Sequence, residues 1–184
     1  DLEEFNDGAC RYDCSGNKDC GENPAPQLTP CNGQLVQPTV ESNPQHGGHC
    51  FSGTTRITMG DGSSKLIRNI VPGESVSAFD FASGQYVPAS VTDVSRHKVR
   101  GYFLLNNRIR VTGNHPFLVS GRWKNVHTLR KGDPLTPRRG PARRVEDIRY
   151  IDGTRWVYNI TVELVHNYYA DNLLVHNKVI VISE

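Results

Sequence analysis

Gly62-Ser63-Ser64-Lys65-Leu66-Ile67-Arg68-Asn69-Ile70-Val71-Pro72-Gly73-Glu74-Ser75-Val76 is echoed, 121 − 62 = 59 residues later, by Gly121-Arg122-Trp123-Lys124-Asn125-Val126-His127-Thr128-Leu129-Arg130-Lys131-Gly132-Asp133-Pro134-Leu135. Gly62, Lys65, Ile67, Ile70, Gly73, Glu74 and Val76 meet Gly121, Lys124, Val126, Leu129, Gly132, Asp133 and Leu135, each a like residue. Every copy reads as a hairpin running into apolar residues three apart, with room for one short helical turn, and then a Gly-acid turn. Such a duplication predicts two similar halves packed about a pseudo-two-fold axis.

Outward from the repeat, short runs of β-branched and aromatic residues alternate with turn pairs. These are Gly60-Asp61-Gly62, Ser83-Gly84, Asn106-Asn107, Ser120-Gly121, Asp152-Gly153 and Asp171-Asn172. Many short strands joined by tight turns predict an all-β domain. The length of 184 residues suits one core-forming domain with appendages. Charge divides the chain near Cys50: positions 1–49 hold two bases and eight acids, 2 − 8 = −6, whereas 50–177 hold eighteen and ten, 18 − 10 = +8. A segment 50–177 with flanks 1–49 and 178–184 is therefore expected.

The acidic flank carries Cys10, Cys14, Cys20 and Cys31. Such density is the mark of an oxidising compartment, as in secreted proteins, or of a metal; no Cys-x-x-Cys pair supports zinc, and four cysteines allow three pairings. Positions 21–49, rich in Pro, Gly, Asn and Gln, read as an irregular linker. No apolar run reaches the roughly 18 residues of a membrane span, and Asp1-Leu2-Glu3-Glu4 lacks the layout of a secretory signal. The basic run Arg138-Arg139-Gly140-Pro141-Ala142-Arg143-Arg144 has no interleaved aromatic residue and reads as a solvated loop, so no nucleic-acid partner is expected.

Reactive residues bracket the segment. The Cys50 thiol can attack the carbonyl of His49 through a five-membered ring and convert the peptide bond into a thioester. Thr112-Gly113-Asn114-His115 supplies a hydroxyl and an imidazole within one turn, the latter able to protonate the scissile nitrogen. Gly47-Gly48 lets the upstream backbone fit a tight site. At the other end the Asn177 amide can attack its own carbonyl, closing a succinimide and releasing Lys178. If 167–170 and 173–176 form a hairpin around Asp171-Asn172, His166 returns beside His176, so that one ring polarises the carbonyl while the other activates the amide.

Taken in order, Cys50-Phe-Ser-Gly-Thr-Thr, Val111-Thr112-Gly-Asn-His115-Pro-Phe, Val157-Tyr-Asn-Ile-Thr-Val, and His166-Asn-Tyr-Tyr-Ala-Asp-Asn-Leu-Leu-Val-His176-Asn177 resemble the splicing blocks of the Hint superfamily. That superfamily comprises inteins, bacterial intein-like domains and hedgehog autoprocessing domains. The resemblance implies an all-β, horseshoe-like Hint fold of two pseudo-two-fold related halves, here preceded by the irregular cysteine-rich flank. It also implies catalytic residues Cys50 (nucleophile), Thr112 and His115 (activation of the first bond), His166 and His176 (assistance to cyclisation) and Asn177 (cyclisation). No cofactor and no metal are implied.

Two departures shape the expected chemistry. Inteins place Cys, Ser or Thr after the terminal Asn, and here Lys178 stands there; Asn159 occupies a position where many inteins carry Asp. Uncoupled cleavage at both ends is therefore expected, with an external thiol or water as acyl acceptor and ligation arising only when the freed amine of Lys178 attacks the thioester. The chain would act in cis on its own flanks, as a monomer with no membrane partner. The competing class is a catalytically inert, secreted cysteine-rich interaction module with a Hint-like fold. His97 and His127 match no block and read as surface residues, with His46 and His49 in a flexible stretch.

Overall fold

A computed structural model describes residues 2–4, 10–12 and 48–177. Within the flank expected to be irregular, β1 (Leu2–Glu4) and β2 (Cys10–Tyr12) form a small antiparallel ladder. The rest of the flank, with Cys14, Cys20, Cys31 and His46, lies outside the described residues.

From residue 50 onward the chain is almost wholly β, as the alternation of strand-forming runs and turns requires. The first sheet orders β12 (Arg143–Arg144), β11 (Pro134–Leu135), β9 (Pro116–Val119), β15 (Leu173–His176), β14 (Asn167–Ala170), β4 (Arg56–Thr58) and β5 (Ser64–Leu66), with β10 (Arg122–Asn125) on β9. The second orders β13 (Ile148–Val162), β3 (Phe51–Ser52), β8 (Ile109–Val111), β7 (Gln85–Leu105) and β6 (Ser75–Asp80). Because β13 also pairs with β7, this second sheet closes on itself.

The duplicated stretch folds twice in the same way. Three-residue 3-10 turns occupy Ile67–Asn69 and Val126–Thr128, 59 residues apart. Lys65 Nζ reaches Glu74 Oε1 at 2.6 Å, and Lys124 Nζ reaches Asp133 Oδ2 at 2.7 Å. Each carboxylate also accepts a backbone N–H three residues upstream, from Val71 at 2.9 Å and Arg130 at 2.8 Å. The glycines before the acids, Gly73 and Gly132, have φ of 91° and 95°, a region that an L side chain resists. Their apolar companions meet in one core: Ile67 and Val126 are fully buried, as are Val76, Phe51, Val111, Phe117 and Tyr168. A smaller cluster of Phe79, Phe81, Leu118, Tyr169 and Leu174 packs beside it.

Five of the six predicted turn pairs lie at turns between strands, and three of them (Asn106-Asn107, Ser120-Gly121 and Asp171-Asn172) have both residues at positive φ, as tight hairpins demand. Asp152-Gly153 is the correction. There β13 continues without turning, and the pair forms a bulge: Ile151 faces Tyr102 and Thr154 faces Arg100, so two residues oppose Gly101 alone. The strands on either side are accordingly long, 21 residues in β7 and 15 in β13, rather than the short runs expected.

Candidate functional site

The first junction is gripped by Thr112 at the end of β8. Its hydroxyl accepts the Cys50 N–H at 2.9 Å, the nitrogen of the bond proposed for attack, and donates to the Gly48 carbonyl in a short contact. The Thr112 N–H in turn donates to the Cys50 carbonyl at 2.9 Å. The backbone on both sides of the His49–Cys50 bond is thus fixed by one residue. Cys50 itself is 2% exposed.

Thr112 to His115 is a tight turn closed by His115 N–H to Thr112 O at 3.2 Å, and the repeat explains its position. Ser52 to Thr55 makes the same turn in the first half, Thr55 N–H to Ser52 O at 3.0 Å. Each turn is tied to the 3-10 turn of its own half: Ile67 N–H to Thr55 O at 2.9 Å in one, Val126 N–H to His115 O at 3.1 Å in the other. In the second half His127 adds its ring, with Nδ1 2.8 Å from the Gly113 carbonyl that already accepts its backbone N–H at 3.0 Å. His127, read from sequence as an unconnected surface residue, therefore positions the turn.

His115 is fully buried, its ring 4.2 Å (centroid to centroid) from Phe51 and 6.1 Å from Phe117. Neither ring nitrogen has a hydrogen-bond partner of good geometry. Burial holds its pKa well below the ordinary histidine range, the nearby His49 and His176 rings push the same way, and weaker contacts with the backbones of His176 and His49 only partly oppose them. One neutral imidazole thus stands between the residue before Cys50 and the residue before Asn177. His49, expected in a flexible stretch, is half-buried with its ring 5.9 Å from His115. The Tyr168 hydroxyl, buried and without a hydrogen-bond partner, completes this wall; burial raises its pKa far above normal, and a neighbouring Cys50 charge raises it further.

At the second junction the expected hairpin forms: β14 and β15 pair Asn167 with His176 and Ala170 with Leu173. The Asn177 N–H donates to the His166 carbonyl at 2.9 Å, and the His166 and His176 rings lie 6.5 Å apart. His176 Nδ1 is 2.5 Å from the Asn177 carbonyl oxygen, the oxygen of the bond to Lys178. A carbonyl can only accept, so Nδ1 carries the proton. Burial first, and then the neighbouring His166 and His49, pull the His176 pKa to about 4, against the lesser upward pull of that same carbonyl contact.

His166 sits at φ 51°, at the end of a bend that Asn167 fastens. The buried Asn167 amide accepts from Phe79 N–H and donates to the Phe79 and Val165 carbonyls, all at 2.8 Å. Sequence reading missed this residue because its partner, Phe79, is 88 positions away. Asn159 is buried in β13 opposite Ser95, its Oδ1 without a hydrogen-bond partner.

Chemically, two clusters have formed: a thiol whose upstream peptide is clamped by a hydroxyl, and an asparagine whose carbonyl is polarised by an imidazole. The pretoxin HINT domain family matches residues 57–183. The chain belongs to that family. Thr112, His115, His166, His176 and Asn177 fall inside the matched stretch, and Cys50 lies seven residues before it. The HINT domain described here is similar in structure to the bacterial intein-like domain from Clostridium thermocellum: TM-score 0.65, 27% identity, over 71% of this chain and all of that one. A DnaB intein from Synechocystis sp. PCC 6803 shares the fold, with TM-score 0.60 and 24% identity over 71% of this chain and 99% of that one. In sequence, the replicative DNA helicase DnaB of Rhodothermus marinus is 34% identical over 100 residues; that match takes in half of this chain and 11% of the helicase.

His97 lies at the surface, as its sequence context suggested, but not idly. Its side chain is exposed, yet the ring lies against the Cys50 sulfur, Nδ1 at 4.0 Å and Nε2 at 3.9 Å. Strand register is the reason: Val157 of β13 faces His97 on β7 and Ser52 on β3, so His97 shares the face of Ser52 and of Cys50 two residues before it.

Proposed function

We propose that this chain processes itself, cutting its own backbone at both edges of the 50–177 segment. Cys50 attacks the His49 carbonyl and exchanges the peptide bond for a thioester, which an external thiol or water opens. The Thr112 hydroxyl holds the scissile nitrogen, and His115 acts on the same peptide. At the far end the Asn177 amide closes on its own carbonyl, releasing Lys178; His176 Nδ1–H stabilises the charge developing on that oxygen, and His166 assists. The observation that carries this reading is the His176 Nδ1 to Asn177 oxygen contact of 2.5 Å, a donor already seated on the carbonyl that must become an oxyanion. The membership in the pretoxin HINT family and the likeness to an intein-like domain support it.

With Lys178 in place of a nucleophilic side chain the two cuts are independent, and the flanks 1–49 and 178–184 are the portions released. The reaction occurs in cis, within whatever longer polypeptide carries the segment. Timed mass spectrometry of freshly made protein, with and without dithiothreitol, tests this. Cys50→Ala should abolish release of the first flank while sparing the second, and Asn177→Ala should do the reverse. An intact mass after prolonged incubation with thiol is the result that overturns the proposal, and it is the result expected of an inert interaction module.

A further inference from the structure

The Cys50 thiol has an imidazole neighbour outside the Thr112-to-His115 turn. Both ring nitrogens of His97 stand within 4.0 Å of Sγ, and its Cε1 is the atom that a Cβ on Gly48 would meet first, at 3.4 Å. The ring therefore borders the sulfur and the upstream backbone together. Cys50 is buried whereas His97 is exposed.

We propose that His97 is a catalytic residue of the N-terminal step, the base that takes the Cys50 thiol proton as the sulfur attacks the His49 carbonyl. This rests on the self-processing reading above. His115 is committed elsewhere: it is sealed against Phe51 and faces the backbones of His49 and His176. His115 stands on the peptide side, whereas His97 faces the sulfur and handles the proton that the sulfur gives up.

The charges around His97 are few. On its own strand Ser95 and Val99 share its face. Across on β13, Val157 stands directly opposite, with Arg155 and Asn159 one same-face position to either side. Arg155 is drawn over the Tyr102 ring, 4.9 Å from its centroid. Arg96 and Lys98 project from the other face, where each lies 5.2 Å from the centre of the Trp156 ring. From the segment leading into β3 the neighbours are the Cys50 sulfur and the Gly48 backbone.

The step balances without any added reagent. The S–H bond breaks and its proton passes to a His97 nitrogen; the sulfur forms its bond to the His49 carbonyl carbon; the carbon–nitrogen bond to Cys50 then breaks. That nitrogen, whose one hydrogen is directed at Thr112 Oγ1, gains a second from the His97 imidazolium through water, and His97 ends as it began.

The test uses the full chain carrying Asn177→Ala, so that only the first cut occurs, with His97 retained or changed to Gln or Ala. Release of the 1–49 fragment by dithiothreitol is followed by mass spectrometry from pH 6 to 9.5. At pH 7 both variants should be slower by about 10²-fold, the usual scale of a general base. Their rates should climb in proportion to hydroxide and approach the parent at high pH, where solvent ionises the thiol unaided. Unchanged rates, or a loss of the same size at every pH, would overturn the proposal. A second arm reads Cys50 itself by peptide mapping after iodoacetamide at each pH. His97→Gln should move the midpoint of Cys50 alkylation upward, and an unmoved midpoint sinks the assignment. If the parent chain does not cleave at all, the self-processing reading fails, and this second arm decides the interaction of His97 with the thiol by itself.

Discussion

His176 shows what burial does to a single ring. Its pKa of about 4, against an ordinary 6.5, means the unfolded chain takes up a proton at a pH where the folded ring still refuses it. The folded pKa is depressed, so the stabilisation is complete above pH 6.5 and is lost as pH falls from there through 4. Its size is (6.5 − 4) pH units at 1.36 kcal/mol each, about 3 kcal/mol. His115, pulled down by its own burial, acts in the same sense. We expect urea-denaturation stability of the Cys50→Ala, Asn177→Ala double variant to fall between pH 6.5 and 4, and adding His176→Gln to flatten that fall by up to that amount. An equal slope in both proteins would remove His176 from the cause. The candidate residues Cys50, Thr112, His115, His166, His176 and Asn177 were picked out in the sequence because each could be matched to a bond next to it or to a short motif. His97 could not, since its relation to Cys50 exists only through two strand pairings, across 47 positions.

Among elements, the repeat was the most readable feature and the long ribbon the least. Residues three apart followed by a Gly-acid pair dictate a turn whose backbone donors need a carboxylate, and both copies supply it. Glu74 is held low chiefly by its Lys65 hydrogen bond; Asp133, though raised by burial, is brought below normal by Lys124 and the Arg130 N–H. Asp152-Gly153 looked like one more hairpin because composition cannot tell a turn from a bulge; the pairing partner decides, and β7 runs on past it. Gly101, at φ 86°, is the residue that lets β7 accommodate two facing residues. A Cβ there would sit 1.9 Å from the Tyr150 hydroxyl, but Tyr150 is 58% exposed and can swing away, so the backbone is what resists. Gly101→Ala should therefore destabilise the domain by about 1–2 kcal/mol. Chemical denaturation measures it, and a cost near zero would mean the bulge is not anchored at this glycine.

At the scale of the molecule, the two junctions belong to different sheets, one at the start of β3 and the other at the end of β15, and His115 is the ring that meets the residue before each. The closure of the second sheet was not legible in the sequence, because β13 pairing with both β3 and β7 leaves no local signature. Proximity also makes a specific gain of function testable. Lys178→Cys would supply the side-chain nucleophile that the position after Asn177 lacks. A portion of the product should then appear as flank 1–49 joined to flank 178–184, a mass absent from the parent digest. Cleavage without any joined product would show that the thioester and residue 178 do not meet.

Both proposed break points also fall at the tips of interior strands, since β3 lies between β13 and β8, and β15 between β9 and β14. A cut at either tip would remove no rung from these ladders. On the proposed mechanism the forward drive therefore comes from the bonds themselves, from opening of the thioester at one tip and ring closure at the other, and the scaffold serves as an unchanging frame for both.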